Sequence, residues 1–98
     1  MYIIKKTDEF MRWLTKLRDL RARALVYKHI TRMEIGSLGV HKSIGDSISE
    51  LKIDYGPGYR LYYTKKNDVV ILLLIGGDKS TQQKDIEKAK RLAKEYGV

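Results

Sequence analysis

There is no cysteine in the chain, which excludes disulfides, thiolate nucleophiles and thiolate metal sites together. The two histidines have no neighbouring ligand pattern, so no metal and no other cofactor is expected. The longest apolar run, Val69 to Ile75, is far too short to cross a bilayer. The opening residues, MYIIKKTDEF, lack the basic-then-apolar order of a secretion signal. A small chain without staple, signal or span is expected in the cytoplasm. No internal repeat, low-complexity tract or linker interrupts the sequence, and its 98 residues allow one domain, 1–98. The apolar fraction of 43% is near the globular average and predicts a folded protein.

What the chain has in excess is positive charge. Its 20 Lys and Arg against 12 Asp and Glu give a net charge of +8. Such a surplus favours polyanionic partners: nucleic acid, the ribosome, an acidic protein or an anionic membrane. The surplus is uneven, for residues 1–36 hold nine basic and four acidic groups. The helical N-terminal third is therefore the most basic part. Charge by itself does not separate a binding face from a solvated helix surface.

Periodicity orders the elements. Tyr2 to Lys6 reads as a short strand. Thr7 is placed to cap a helix, with Asp8 and Glu9 near its N-terminal dipole. Phe10, Trp13, Leu14, Leu17 and Leu20 then recur at helical spacing. Asp19 is placed to cap a second helix with apolar positions Ala22, Val26, Ile30 and Met33, and Gly36 is its stop. The two helices touch in sequence, which predicts a hairpin. His29 falls mid-helix and reads as structural, and Trp13 reads as core. Leu38 to Gly45 reads as a loop leading into a short strand, where His41 is within reach of a site on the sheet but, as a lone loop histidine, is expected to be solvated.

From Ile48 to Tyr55 the period becomes two. Leu51, Ile53 and Tyr55 face one way, and Glu50, Lys52 and Asp54 the other. Gly56-Pro57-Gly58 is a turn signal. Tyr59 to Lys65 alternates again, with Arg60, Tyr62 and Thr64 on one face. After the turn Lys66-Asn67-Asp68, the continuous apolar run Val69 to Ile75 fits a central strand covered on both faces. Gly76-Gly77 reads as a tight strand-to-helix turn. Ser80 with Gln83 fits a capping box, and the last helix should bury Ile86, Ala89, Ala93 and Tyr96. The expected fold is α+β, in the order β-α-α-β-β-β(-β)-α, with an N-terminal helical hairpin packed on a small, mainly antiparallel sheet.

Several stretches go beyond pattern. S-E-L-K-I-D-Y-G-P-G-Y-R-L-Y-Y, then V-V-I-L-L-L-I-G-G-D-K, resemble the sheet of RelE/ParE superfamily toxins. G-P-G-Y-R, L-L-x-G-G-D-K-S-x-Q, K-D-I-x-x-A and the first helix's F-x-x-W-L-x-x-L-x-D resemble the group described as addiction-module killer proteins, close to the HigB and RelE toxins. The resemblance implies the toxin of a toxin–antitoxin module that cleaves messenger RNA on the ribosome, without metal, by attack of a 2′-hydroxyl on the adjacent phosphate. Such chemistry needs a base, cations for the phosphorane and an acid for the 5′ oxygen.

The resemblance also implies the site. Arg60 matches the family's sheet arginine, while Lys52 and Lys79 match basic positions. Glu50 falls where relatives carry lysine or a carboxylate, and it is either a base or a partner for Arg60. These four are the catalytic candidates, and Arg60, Lys52 and Lys79 are expected to converge on an open concave face of the sheet. Tyr62, Lys42 and Lys84 are the candidates for holding nucleic acid. RelE carries a base-stacking tyrosine in its C-terminal segment. Here Gln82-Gln83-Lys84-Asp85 has no aromatic, which leaves stacking to Tyr62 or to no residue. The implied partners are a cognate antitoxin, with the helix-turn-helix type among the candidates, and the ribosome with its messenger. The alternatives are a ParE-like inhibitor of DNA gyrase without enzymatic activity and an inactive nucleic-acid-binding relative.

Overall fold

A computed structural model of the chain describes residues 1–97. Strand β1 (Ile3–Lys6) leads into helix α1 (Asp8–Lys16) and helix α2 (Leu20–Glu34). Strands β2 (His41–Gly45), β3 (Ile48–Ile53), β4 (Tyr59–Lys65) and β5 (Val70–Gly77) follow. A short 3₁₀ turn, Lys79–Thr81, then passes directly into helix α3 (Gln82–Glu95).

The caps of α1 and α2 form where the sequence puts them. Thr7 accepts a 2.9 Å hydrogen bond from the Phe10 N–H, and its own hydroxyl donates to the Leu74 carbonyl at 2.6 Å. One threonine therefore starts α1 and ties it to β5. Asp19 accepts from the N–H groups of Arg21 and Ala22. It also accepts from the Tyr55 hydroxyl, and that bond first, with those of the cap, holds its carboxyl below the usual range. Gly36 ends α2 in the left-handed region, at φ +85°.

The sheet order is β1-β5-β4-β3-β2. Its four later strands form an antiparallel meander, and β1 joins parallel to β5. The apolar run of β5 is thus interior, flanked by β1 and β4. The hairpin between β2 and β3 turns on Asp46 and Ser47, both at positive φ, as a two-residue turn that suits the twist of the strands.

Both faces of the sheet are covered. On one, Leu51, Ile53, Leu61, Tyr63, Ile71 and Leu73 pack with Phe10 and Leu14 of α1 and Ala22, Val26, Ile30 and Met33 of α2. On the other, Ile48, Tyr62, Leu72, Leu74 and Ile75 pack under Ala89, Leu92 and Ala93 of α3. Full burial of a leucine- or isoleucine-sized side chain contributes roughly 1.5–3 kcal/mol, so both layers matter to a domain of this size.

Several expectations are corrected. α1 and α2 do not form a closely paired hairpin: α1 lies chiefly on β5 and α2 chiefly against β1, with little mutual approach. Leu20 falls outside the α1 stripe because α1 stops at Lys16, and it stands 74% exposed at the start of α2. Tyr96 is exposed rather than core, because it caps α3 after the buried stripe has ended. The capping box is formed by Asp78 and Thr81 around the 3₁₀ turn, not by Ser80 and Gln83. His41 belongs to the edge strand β2, where it remains exposed.

Gly76 and Gly77 belong to β5 and make no turn. They are glycine for lack of space. A side chain on Gly76 would enter the six-membered ring of Trp13, and one on Gly77 would enter the Asp85 carboxylate. Trp13 is held on its other sides by Phe10 and Tyr59, with centroids at 5.6 and 6.4 Å. Gly76→Ala should therefore cost about 1–3 kcal/mol, the usual range for overpacking. Urea unfolding checks this, and an unchanged midpoint would show that Trp13 is free to move aside.

Candidate functional site

Cross-strand register gathers the polar side chains at one end of the α3-covered face. Lys42 on β2, Glu50 on β3 and Tyr62 on β4 are neighbours in one row, and Lys52 and Arg60 are neighbours in the next. Residues directly opposite on adjacent strands lie within side-chain reach of each other. The 3₁₀ turn and the first residue of α3 bring Lys79 and Gln82 over these rows. Together they enclose a cavity of about 200 Å³ lined by Val40, His41, Lys42, Glu50, Lys52, Arg60, Lys79 and Gln82.

Glu50 is the centre of the site and is only 4% exposed. Its Oε2 accepts from the Tyr62 hydroxyl and from the Gln82 amide, each at 3.0 Å. Its Oε1 lies 3.8 Å from Arg60 Nε and 3.8 Å from Lys42 Nζ. Both distances are too long for a hydrogen bond, and Lys42 is mostly solvated, so the Lys42 pair contributes little. Lys79 Nζ donates to Gln82 Oε1 at 3.0 Å and thereby orients the amide whose N–H₂ meets Glu50.

Arg60 is 5% exposed. Its Nη1 donates to the Gly58 carbonyl at 2.7 Å, while its buried Nε has no hydrogen-bond partner among the described residues. The G-P-G-Y-R stretch thus acquires a physical reason. Gly58 sits at φ +79°, where a side chain would be strained and would crowd Arg60 Nη1 at 3.2 Å. The Pro57 carbonyl accepts from the Lys79 N–H at 3.3 Å, so one turn holds both the arginine and the segment carrying Lys79.

Of the sequence candidates, Arg60, Lys52, Lys79, Glu50 and Lys42 meet in this cavity. The expected open concave face is corrected. The start of α3 overhangs it and leaves a half-open pocket, with Arg60 buried in the wall while Lys42, Lys52 and Lys79 stay exposed. Tyr62 is also corrected, because its ring is fully buried under α3 and offers no face to a base. Burial first, and then the bond to Glu50, push its phenol far above the ordinary value, so it stays a hydrogen-bond donor. Lys84 points to solvent on α3 and does not line the cavity. Gln82 was missed as a site residue. It closes the L-L-x-G-G-D-K-S-x-Q stretch, and that position, one turn after the Gly77–Asp78 strand exit, was the signal that could have found it.

A second cavity, about 240 Å³, lies where β5 runs past the end of β1, between α1 and α3. Glu9, Arg12, Trp13, Lys16, Asp85 and Lys88 line it, with none of the candidate residues among them. Burial raises the Asp85 carboxyl there, although the Thr81 hydroxyl hydrogen bond opposes the shift. Among the described residues, no group of three or more His, Cys, Asp or Glu is placed to hold a metal ion. No helix among them is long and apolar enough to cross a membrane.

A five-stranded mixed sheet with a pair of helices on one face and a C-terminal helix on the other is a RelE-like fold. The chain is similar to the solved free-state structure of the E. coli toxin RelE carrying two arginine-to-alanine substitutions. The TM-score is 0.64, the match covers 92% of this chain and 96% of that one, and 19% of residues are identical, a likeness that establishes the fold. In sequence, the chain is 52% identical over 95 residues to an uncharacterized protein of Haemophilus influenzae, which spans 97% of this chain and 96% of the relative. The chain belongs to the same family as that protein. No family model matches the chain.

The geometry can bind an oxyanion. Arg60, Lys42, Lys52 and Lys79 line the cavity and supply its cations. The Glu50 carboxylate is the one local opponent. Glu50→Gln should therefore tighten binding of inorganic phosphate by about tenfold or more, since it removes the like charge from the cavity and tenfold needs only about 1.4 kcal/mol of the repulsion between neighbouring unit charges. Titration followed by amide NMR reads both the affinity and the residues that respond. Unchanged affinity would place phosphate outside this cavity.

Proposed function

We propose that the chain is the toxin of a toxin–antitoxin module and a ribosome-dependent messenger RNA endonuclease. The observation that carries this reading is the gathering of Arg60, Lys42, Lys52 and Lys79 around Glu50 in one cavity of a RelE-like fold. The scissile phosphate takes the place beside Arg60 that the carboxylate now faces. Glu50 Oε1 accepts the 2′-hydroxyl proton, the 2′ oxygen bonds to phosphorus, and the bond to the 5′ oxygen breaks. The products are a 2′,3′-cyclic phosphate and a 5′-hydroxyl, the latter protonated by Lys52 or Lys79. Arg60 and the lysines stabilise charge on the phosphorane. With Tyr62 buried, base stacking plays no part, and substrate is held through its backbone and by the ribosome. The cytoplasm is the compartment in which this substrate is found.

The burial of Arg60 favours one second reading, a ParE-like binding inhibitor of DNA gyrase that uses the exposed lysines without chemistry. Labelling of protein and DNA synthesis after induction separates the two, since the nuclease stops translation first. The positive surface also favours an acidic antitoxin, whose association should weaken as salt rises. Without the antitoxin, expression of the chain should arrest bacterial growth.

Arg60→Ala should slow single-turnover cleavage on programmed ribosomes by ~10²–10³, the usual loss for a preorganised charge donor. Ribosome affinity should fall far less, because many other Lys and Arg share that contact. Arg60→Lys should restore part of the rate, as an ammonium lacks the two-pronged geometry. Unfolding measured in parallel corrects for the lost bond to Gly58. A wild-type rate in folded Arg60→Ala would remove Arg60 from the chemistry.

A further inference from the structure

We infer that Tyr62 and Gln82 are positioning residues that aim the Glu50 carboxylate at the reacting phosphate. This rests on the nuclease reading and extends it to two residues that act through Glu50. Both donors meet the same oxygen, Oε2, at 3.0 Å. They leave Oε1 as the oxygen directed at Arg60, Lys42 and the cavity.

The two donors come from different elements, and each is fixed independently. Tyr62 is anchored by its ring, fully buried between β4 and α3. Its phenol stays protonated, so it always donates. Gln82 is anchored by Lys79, whose ammonium holds the amide oxygen and so turns the amide nitrogen toward Glu50. A carboxylate held by two donors on one oxygen has lost the rotation that would otherwise bring both oxygens into hydrogen-bonding distance of Arg60. Without them, the cations facing Glu50 (Lys42 on β2, Lys52 on its own strand, Arg60 on β4 and Lys79 beyond β5) would draw the carboxylate into ion pairs. Base and phosphate ligand would then quench one another. A base must sit at the correct distance from the 2′-hydroxyl, and a displacement of an ångström in such a group is costly in rate.

The test uses the full chain and single-turnover cleavage on programmed ribosomes, with the folded fraction measured for each variant. Tyr62→Phe and Gln82→Leu remove one donor each. Tyr63→Phe is the matched control, a buried tyrosine next in sequence that faces the opposite layer, away from Glu50. Tyr62→Phe and Gln82→Leu should each lower the rate at saturating ribosomes by about tenfold and leave the half-saturating concentration unchanged, as loss of alignment predicts. Tyr63→Phe should keep the wild-type rate. The inference is overturned if folded Tyr62→Phe and Gln82→Leu cleave at the wild-type rate. It is equally overturned if Tyr63→Phe loses as much, or if half-saturation rises in step with the loss. No cleavage by the wild-type chain would overturn the nuclease reading itself, a result distinct from all of these.

Discussion

A carboxylate buried beside a buried guanidinium sets the terms for everything around it. An ionised group removed from water is tolerated only when partners replace its hydration. Glu50 therefore requires Tyr62 from the neighbouring strand and Gln82 from the helix above, and Arg60 requires the Gly58 carbonyl. Each requirement fixes an element. β3 and β4 must keep their register, the Gly56–Gly58 turn must present its carbonyl inward, and α3 must begin where Gln82 reaches the sheet. Within this cluster the Arg60 Nε is left without a hydrogen-bond partner among the described residues, and Arg60 itself forms part of the cavity wall.

The two faces of the sheet divide the work. The face under α1 and α2 is apolar along its length and holds most of the core. The face under α3 is apolar only where Ile48, Leu72 and Leu74 meet Ala89, Leu92 and Ala93. Beyond that seam it turns polar, and there the start of α3 forms a roof over Lys52, Glu50 and Arg60. A helix that packs by one end and covers charge with the other links stability and site in a single element. The glycines of β5 serve the same arrangement, because Gly76 admits Trp13 and Gly77, opposite Arg60, admits Asp85 of α3.

Much of this was legible from local chemistry. Thr7 and Asp19 cap the helices they precede, Gly36 ends α2, and the buried positions of α2 are the four that its period selects. The alternation of β3 and β4 placed Glu50, Lys52, Arg60 and Tyr62 on one face, which the register then gathers with Lys42. These features depend on residues a few positions apart, where side-chain period and capping geometry act directly.

Side-chain period settles which residues share a face, while the packing of distant elements settles what lies over that face. Arg60 and Tyr62 read as an open polar surface, yet α3 crosses it, and the tyrosine becomes a support for Glu50 in place of a platform for a base. Gln82 closes the L-L-x-G-G-D-K-S-x-Q stretch, yet its place in the site comes from the 3₁₀ turn that sets it above the sheet. The parallel pairing of β1 with β5 and the separation of α1 from α2 are likewise decided by long-range burial. Periodicity follows from the geometry of one element, whereas coverage follows from the competition among all elements to bury their apolar surface.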